Sequence, residues 1–189
     1  MTRFEEMKVK TPIKAAIFVL ISSAIGLAQT PNQLGAWSVS PADSNVTRNH
    51  VVMLQSASEQ QFKDSFGNPV QAKLDIICKK GKLSAIALEP NFKLQEGAVS
   101  VSGAVPTTRV AFTVVGQGNQ SENWAVLDNG NTVSPYSEVF QGKLMKQWIE
   151  RISNTDKITF QLVGEDGQAT PTFETRNLTD TLSSVGCKY

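Results

Sequence analysis

Ala72-Lys-Leu-Asp-Ile-Ile-Cys-Lys-Lys-Gly-Lys-Leu-Ser-Ala-Ile-Ala-Leu88 divides at Lys80-Gly81 into two arms, and that division carries the fold. In the first arm Leu74, Ile76 and Cys78 share one face by period two, the alternation of a strand buried on one side. Leu83, Ile86 and Leu88 follow in the second arm. Between them Lys79-Lys-Gly-Lys82 supplies charge and a glycine, which a tight turn between antiparallel strands requires. The stretch reads as a β-hairpin.

Toward the N-terminus, Val51-Val-Met-Leu-Gln55 is β-branched and apolar, Asp64-Ser-Phe-Gly-Asn-Pro69 is dense in turn formers, and a first strand is expected around Trp37. Toward the C-terminus, Val99, Val101 and Val105, then Val110, Phe112 and Val114, suggest two strands with Pro106 between them. Trp124-Ala-Val-Leu127 runs into Asp128-Asn-Gly130, whose residues accept positive φ at little cost, so a second hairpin is expected there. From Ser137 the period changes. Phe140, Leu144, Trp148 and Ile152, with Met145 and Ile149 beside them, make one apolar stripe on a helix whose other face carries Lys143, Lys146, Glu150 and Arg151. Lys157 to Val163 and Ala169 to Thr175 return to strand, and Leu178, Leu182 and Val185 mark a short terminal helix. The fold class is mainly β, a β-rich α+β chain: an antiparallel sandwich or sheet with one inserted amphipathic helix and a short C-terminal helix.

Ahead of this pattern, Lys8, Lys10 and Lys14 precede the apolar run Ala15 to Ala28, with Gly26 and Ala28 at the small-residue positions of a cleavage site. Residues 1–28 read as a secretory signal peptide, too short to serve as a spanning helix. Residues 29–189 then form a single β-rich domain with no membrane span, periplasmic or secreted. Removing residues 1–28 takes away four cations and two acids, so the formal net charge moves from +1 to −1. Without a basic face, nucleic acid is not an expected partner. Cys78 and Cys187 are the two cysteines. In an oxidising compartment they imply one disulfide, with two buried thiols the alternative. A bridge between them closes a loop on the order of 100 residues, worth about 4 to 5 kcal/mol by loop-closure entropy.

No constellation for catalysis emerges. His50 is the one histidine and sits in the polar stretch Thr47-Arg-Asn-His50, which suits a solvated side chain better than a general base. It cannot complete a metal site alone, so neither a metal nor any cofactor is expected. Gly116-Gln-Gly118 lacks the third glycine and the lysine of a phosphate loop, and Glu165-Asp166 lies between glycines in an expected turn. Arg109 and Trp124 are the candidate binding residues, because arginine and tryptophan are favoured interface anchors.

The order of features resembles a known family. Trp37 with Ser38-Val-Ser40 and Asp43, a strand ending in Cys78 with Lys79-Lys-Gly-Lys-Leu83, Thr108-Arg109 ahead of Trp124 and Asp128-Asn-Gly130, Phe140 with Leu144, and a closing run from Leu182 to Cys187 are similar to the type VI secretion-associated periplasmic proteins of the VasI/TagO kind. The resemblance implies an exported, non-enzymatic accessory factor with a disulfide. The chain's own features, export and a bridged β-fold without a catalytic constellation, lead to the expectation of a binding protein with a protein partner in the cell envelope. It departs at one point: the family's additional cysteine-containing segment ahead of the tryptophan has no counterpart in Gln29 to Ala36. A second likeness, of Cys78-Lys-Lys-Gly-Lys-Leu-Ser-Ala-Ile86 to the cysteine-containing hairpin of small bacterial lysozyme inhibitors, implies the alternative of an inhibitor of a cell-wall lytic enzyme.

Overall fold

A computed structural model describes residues 32–41, 50–94, 99–102, 105–127, 130–136, 141–164 and 167–189. The expected signal peptide, Asp43, the Asp128-Asn129 turn residues, Phe140 and the Glu165-Asp166 pair lie outside the described residues. The strands are β1 (Asn32–Leu34), β2 (Trp37–Pro41), β3 (Val51–Lys63), β4 (Pro69–Lys79), β5 (Lys82–Glu89), β6 (Val99–Ser102), β7 (Val105–Val114), β8 (Gly118–Leu127), β9 (Thr132–Pro135), β10 (Lys157–Gly164), β11 (Gly167–Ala169) and β12 (Thr172–Glu174). The helices are α1 (Gln141–Ser153) and α2 (Leu178–Ser184). Pro106, expected between two strands, lies inside β7 as its second residue and pairs with Val101 of the short β6.

The β-rich class stands, but the sandwich or open sheet expected from the alternation is replaced by a closed antiparallel barrel of eight strands. The order around the wall is β3-β12-β10-β7-β8-β9-β5-β4, and β4 returns to β3 through a ladder from Val51↔Lys79 to Lys63↔Pro69. Closure depends on the length of β3. One edge lies along β4, while the other is shared between β2, from Ser38↔Gln55 to Pro41↔Val52, and β12, through Phe173↔Ser58. Closing a sheet on itself removes the free edges that an open sheet must guard.

Two connections step over strands and therefore cross the barrel's ends. β5 leads to β7 past the positions of β9 and β8, and the described residues that follow β5, up to Leu94, lie at one end. There Phe92 packs on Phe62 at 5.3 Å between ring centroids, and Leu94 bridges Gly164. β9 leads to β10 past β8 and β7, and this connection is α1, laid over the other end. An eight-stranded barrel is just wide enough for side chains to fill. Here the filling is aromatic. Phe112, Trp124, Phe160 and Phe173 point inward from the wall, and Trp148 enters from α1, 4.7 Å from Phe112 and 4.9 Å from Trp124 in edge-on contacts. Met145, Ile149 and Ile152 continue the buried face of α1, which is the stripe the four-residue spacing predicted.

Candidate functional site

The β4–β5 hairpin is fixed at its turn by the backbone and at its side by the chain's last residues. Lys80 and Gly81 adopt positive φ of 54° and 72°, the left-handed pair that a two-residue turn between twisted strands demands. Gly81 is bound twice over, because a Cβ there would stand 3.2 Å from the Gly186 carbonyl oxygen as well. That close approach comes from the chain's end. α2 terminates with Gly186 at φ 69°, Gly186 N donating to Ser183 O and Cys187 N to Leu182 O, the paired bonds of a Schellman cap. The cap turns the chain so that Cys187 meets Cys78, with 5.9 Å between Cα atoms, in the predicted disulfide. Lys188 then lies beside the hairpin, its N–H donating to Gly81 O and its carbonyl accepting from Leu83 N.

Around this knot lies a cleft of about 390 Å³, between the start of β5, the first turns of α1 and the last two residues. Lys82, Lys146 and Lys188 line it, with Leu83 and Met145 among the apolar walls. All three lysines are exposed. Lys146 stands 3.8 Å from Glu150, an exposed pair one helical turn apart whose coupling is slight. The Gln141 amide, also on the wall, donates to Pro135 O. Among the described residues, no acidic side chain stands in the first turn of α1, whose N-terminal end carries partial positive charge beside the lysines. The chemistry on offer is anion recognition.

Next to the cleft, α1 is clamped to the barrel. Glu122 of β8 accepts a hydrogen bond from Trp148 Nε1 at 3.1 Å and another from Arg151 Nη1 at 3.1 Å. The Arg151 guanidinium also lies 4.4 Å from the Trp148 ring and 4.8 Å from that of Phe112. A half-buried cation that is hydrogen-bonded and stacked on two rings is a positioning device for the helix. At the opposite end of the barrel a second built turn displays an aromatic. Asp64 accepts from the N–H groups of Phe66 and Asn68 and from the Asn68 side chain, which holds its carboxyl below the usual range, and Phe66 is left 88% exposed.

The structure separates the two candidate binding residues. Trp124 is fully buried in the barrel, and its indole N–H has no partner there. Arg109 faces outward and spans to the Ser121 hydroxyl at 2.8 Å. Since Thr108 pairs with Trp124 and Arg109 with Asn123, successive residues point to opposite sides of the wall and the two side chains cannot share a site. His50 is exposed at the start of β3, where its carbonyl accepts from Lys80 N.

One ionisable group was not singled out by the sequence. Asp75 alternates with Leu74 and Ile76 and so points outward from β4, yet it is only 2% exposed. Burial pushes its carboxyl up to about 6, against the hydrogen bond from Gln55 Nε2 at 2.9 Å, with Glu89 adding to the rise and Lys73 opposing it. Its signal was present as an acid inside an apolar strand. Among the described residues, no group of three or more His, Cys, Asp or Glu converges to hold a metal, and no helix is long and apolar enough to cross a membrane. Comparison with family models, curated proteins and solved structures returns no match in any of the three.

Proposed function

We propose that this chain is an exported binding protein of the bacterial cell envelope, which holds a protein partner on its outer surface and performs no chemistry on it. The disulfide carries this reading. Cys78–Cys187 ties the last residues to the central hairpin, and such bridges persist in oxidising compartments outside the cytoplasm. The filled barrel supports it further. Side chains from β7, β8, β10, β12 and α1 occupy the interior that a carrier of small ligands would keep open, which leaves the outer face to do the work. The likeness to the VasI/TagO kind adds the type VI secretion apparatus as the setting in which the partner is to be sought.

The test is crosslinking in the native cell. The tagged, exported chain is crosslinked, purified and analysed by mass spectrometry, with a nonreducing gel to follow the bridge. Recovery of the same envelope protein in repeat experiments, with an intramolecular disulfide, supports the reading. A chain that emerges reduced in the cytoplasm, or without neighbours, overturns it.

A second reading, an inhibitor of a cell-wall lytic enzyme, is favoured by the form of the hairpin. Lys79, Lys80 and Lys82 are exposed on a turn made rigid by the disulfide, and glycoside hydrolases of this kind hold two carboxylates in a groove. Unchanged lysis by lysozyme in the presence of excess purified protein would end this alternative.

A further inference from the structure

The barrel wall opens where β5 leaves β9 behind. β9 spans only Thr132–Pro135 and meets β5 at Leu88↔Val133, and the bond from Ser134 Oγ to Ile86 O is the last link toward the hairpin. From Lys82 to Ala85, β5 keeps β4 on one edge. On the other edge, among the described residues, it meets only the chain's last residues, through the parallel bridge Lys82↔Lys188 and the bond from Leu83 N to Lys188 O. Ser84 is the extra residue of a bulge there, since Cys78 pairs with Leu83 and Ile77 with Ala85. The cleft lies along this edge, with Gln141, Gly142, Met145 and Lys146 of α1 as its far wall.

Two properties coincide in this gap. Its floor is a strand edge whose first two residues, Lys82 and Leu83, are already met by Lys188, which leaves Ser84 and Ala85, at ~3.3 Å each roughly 7 Å of backbone, for a partner's extended segment. Among the described residues, its charged lining side chains are those of Lys82, Lys146 and Lys188, and Lys79 stands opposite Lys82 in the hairpin. Added strands take affinity from the backbone and specificity from the side chains that line the groove. Lysine walls select carboxylates.

We propose that the cleft binds an extended acidic segment of a protein partner, laid along the start of β5 with its carboxylates on Lys82, Lys146 and Lys188. The proposal rests on the reading of the chain as a binding protein and gives that binding a place and a chemistry. The bulge at Ser84 and the short parallel bridge to Lys188 limit the added segment to a few residues, so the contact is a short clasp whose strength depends on charge.

The experiment uses the disulfide-intact protein and a fluorescein-labelled peptide of alternating Asp and Val, with the Asn-Val peptide as its uncharged counterpart. Anisotropy titration is expected to show binding of the acidic peptide alone, weakening as salt is raised. The double variant K82E/K146E should lose affinity on the order of tenfold or more, while K63E at the opposite end changes little. Hydrogen exchange should slow at Ser84 and Ala85, beyond the stretch that Lys188 already covers, when the peptide is bound. Variants that have failed to fold are recognised by lost nonreducing mobility or circular dichroism, and K82Q/K146Q then serves in their place. Equal binding of the two peptides, indifference to the charge reversal, or binding of phosphatidylglycerol vesicles or inorganic phosphate in place of the peptide would overturn the proposal. Photo-crosslinkers set at positions 146 and 66 in the native cell separate this failure from that of the parent reading. A partner trapped at 66 alone removes the cleft but keeps the binding protein, and no partner at either position removes both.

Discussion

Asp75→Asn should make the protein more stable at neutral pH, because the carboxylate it replaces is held where water cannot reach it. In the folded chain this carboxyl titrates at about 6, raised from an ordinary value of 3.8 chiefly by burial. Between those two values the folded chain keeps a proton that the unfolded chain has already released. The proton's contribution to stability is therefore fully present below about pH 4, falls as the pH rises through about 6, and is absent at pH 7. At 1.36 kcal/mol for each pKa unit, the gap corresponds to roughly 3 kcal/mol. Asparagine keeps an acceptor for Gln55 Nε2, which stands 2.9 Å away, and removes the titration. Urea unfolding of both proteins, followed by tryptophan fluorescence, is the assay. The variant should be more stable by about 2 to 3 kcal/mol near pH 7, with the difference shrinking toward zero near pH 4. The distant acids titrate alike in both proteins, so the difference between the two curves reports Asp75 together with its neighbour Glu89. Parallel curves, or a variant less stable at pH 7, would refute the reasoning, and the second result would mean that Lys73 outweighs burial.

Replacing both cysteines, Cys78→Ser with Cys187→Ser, releases the 109-residue span between them and should cost about 4 to 5 kcal/mol in urea unfolding; a loss below about 1 kcal/mol would show that the bridge does not constrain the unfolded chain. Trp148→Ala empties the centre of the aromatic cluster and strips Glu122 of one donor, so its unfolding free energy in urea should fall by roughly 3 to 5 kcal/mol, measured against a conservative Trp148→Phe control. Gly81→Ala puts a Cβ at φ 72° and 3.2 Å from the Gly186 oxygen, and a loss of about 1 to 3 kcal/mol is expected in thermal unfolding; an unchanged midpoint would mean that the turn and the C-terminal residues yield easily.

The sequence was sufficient to read the local elements. Alternation at Leu74, Ile76 and Cys78, the Lys80-Gly81 turn and the four-residue stripe through Trp148 each depend on near neighbours, and each appears in the structure where its pattern placed it. Counting cysteines fixed the partners, since two cysteines allow one pairing, while the choice of a bridge over two free thiols rested on the expected oxidising compartment and is settled by the structure. The candidate site was half legible. The Lys79-Lys-Gly-Lys82 run was visible, but it read as a charged turn, because nothing in it shows that Lys146 and Lys188 arrive beside Lys82 from 64 and 106 residues further on. Arg109 and Trp124 were chosen by residue type, and the pleat of β7 and β8 then turned them to opposite sides of the wall. Closure into a barrel was decided by tertiary structure alone. A period of two tells which side chains face a core and is the same for a sandwich, a sheet or a barrel, whereas closure depends on β3 being long enough to pair with β4, β2 and β12 at once. The near-neutral titration of Asp75 has the same origin: the sequence supplies the carboxyl, and only the packing around it removes the water that would keep it an ordinary acid.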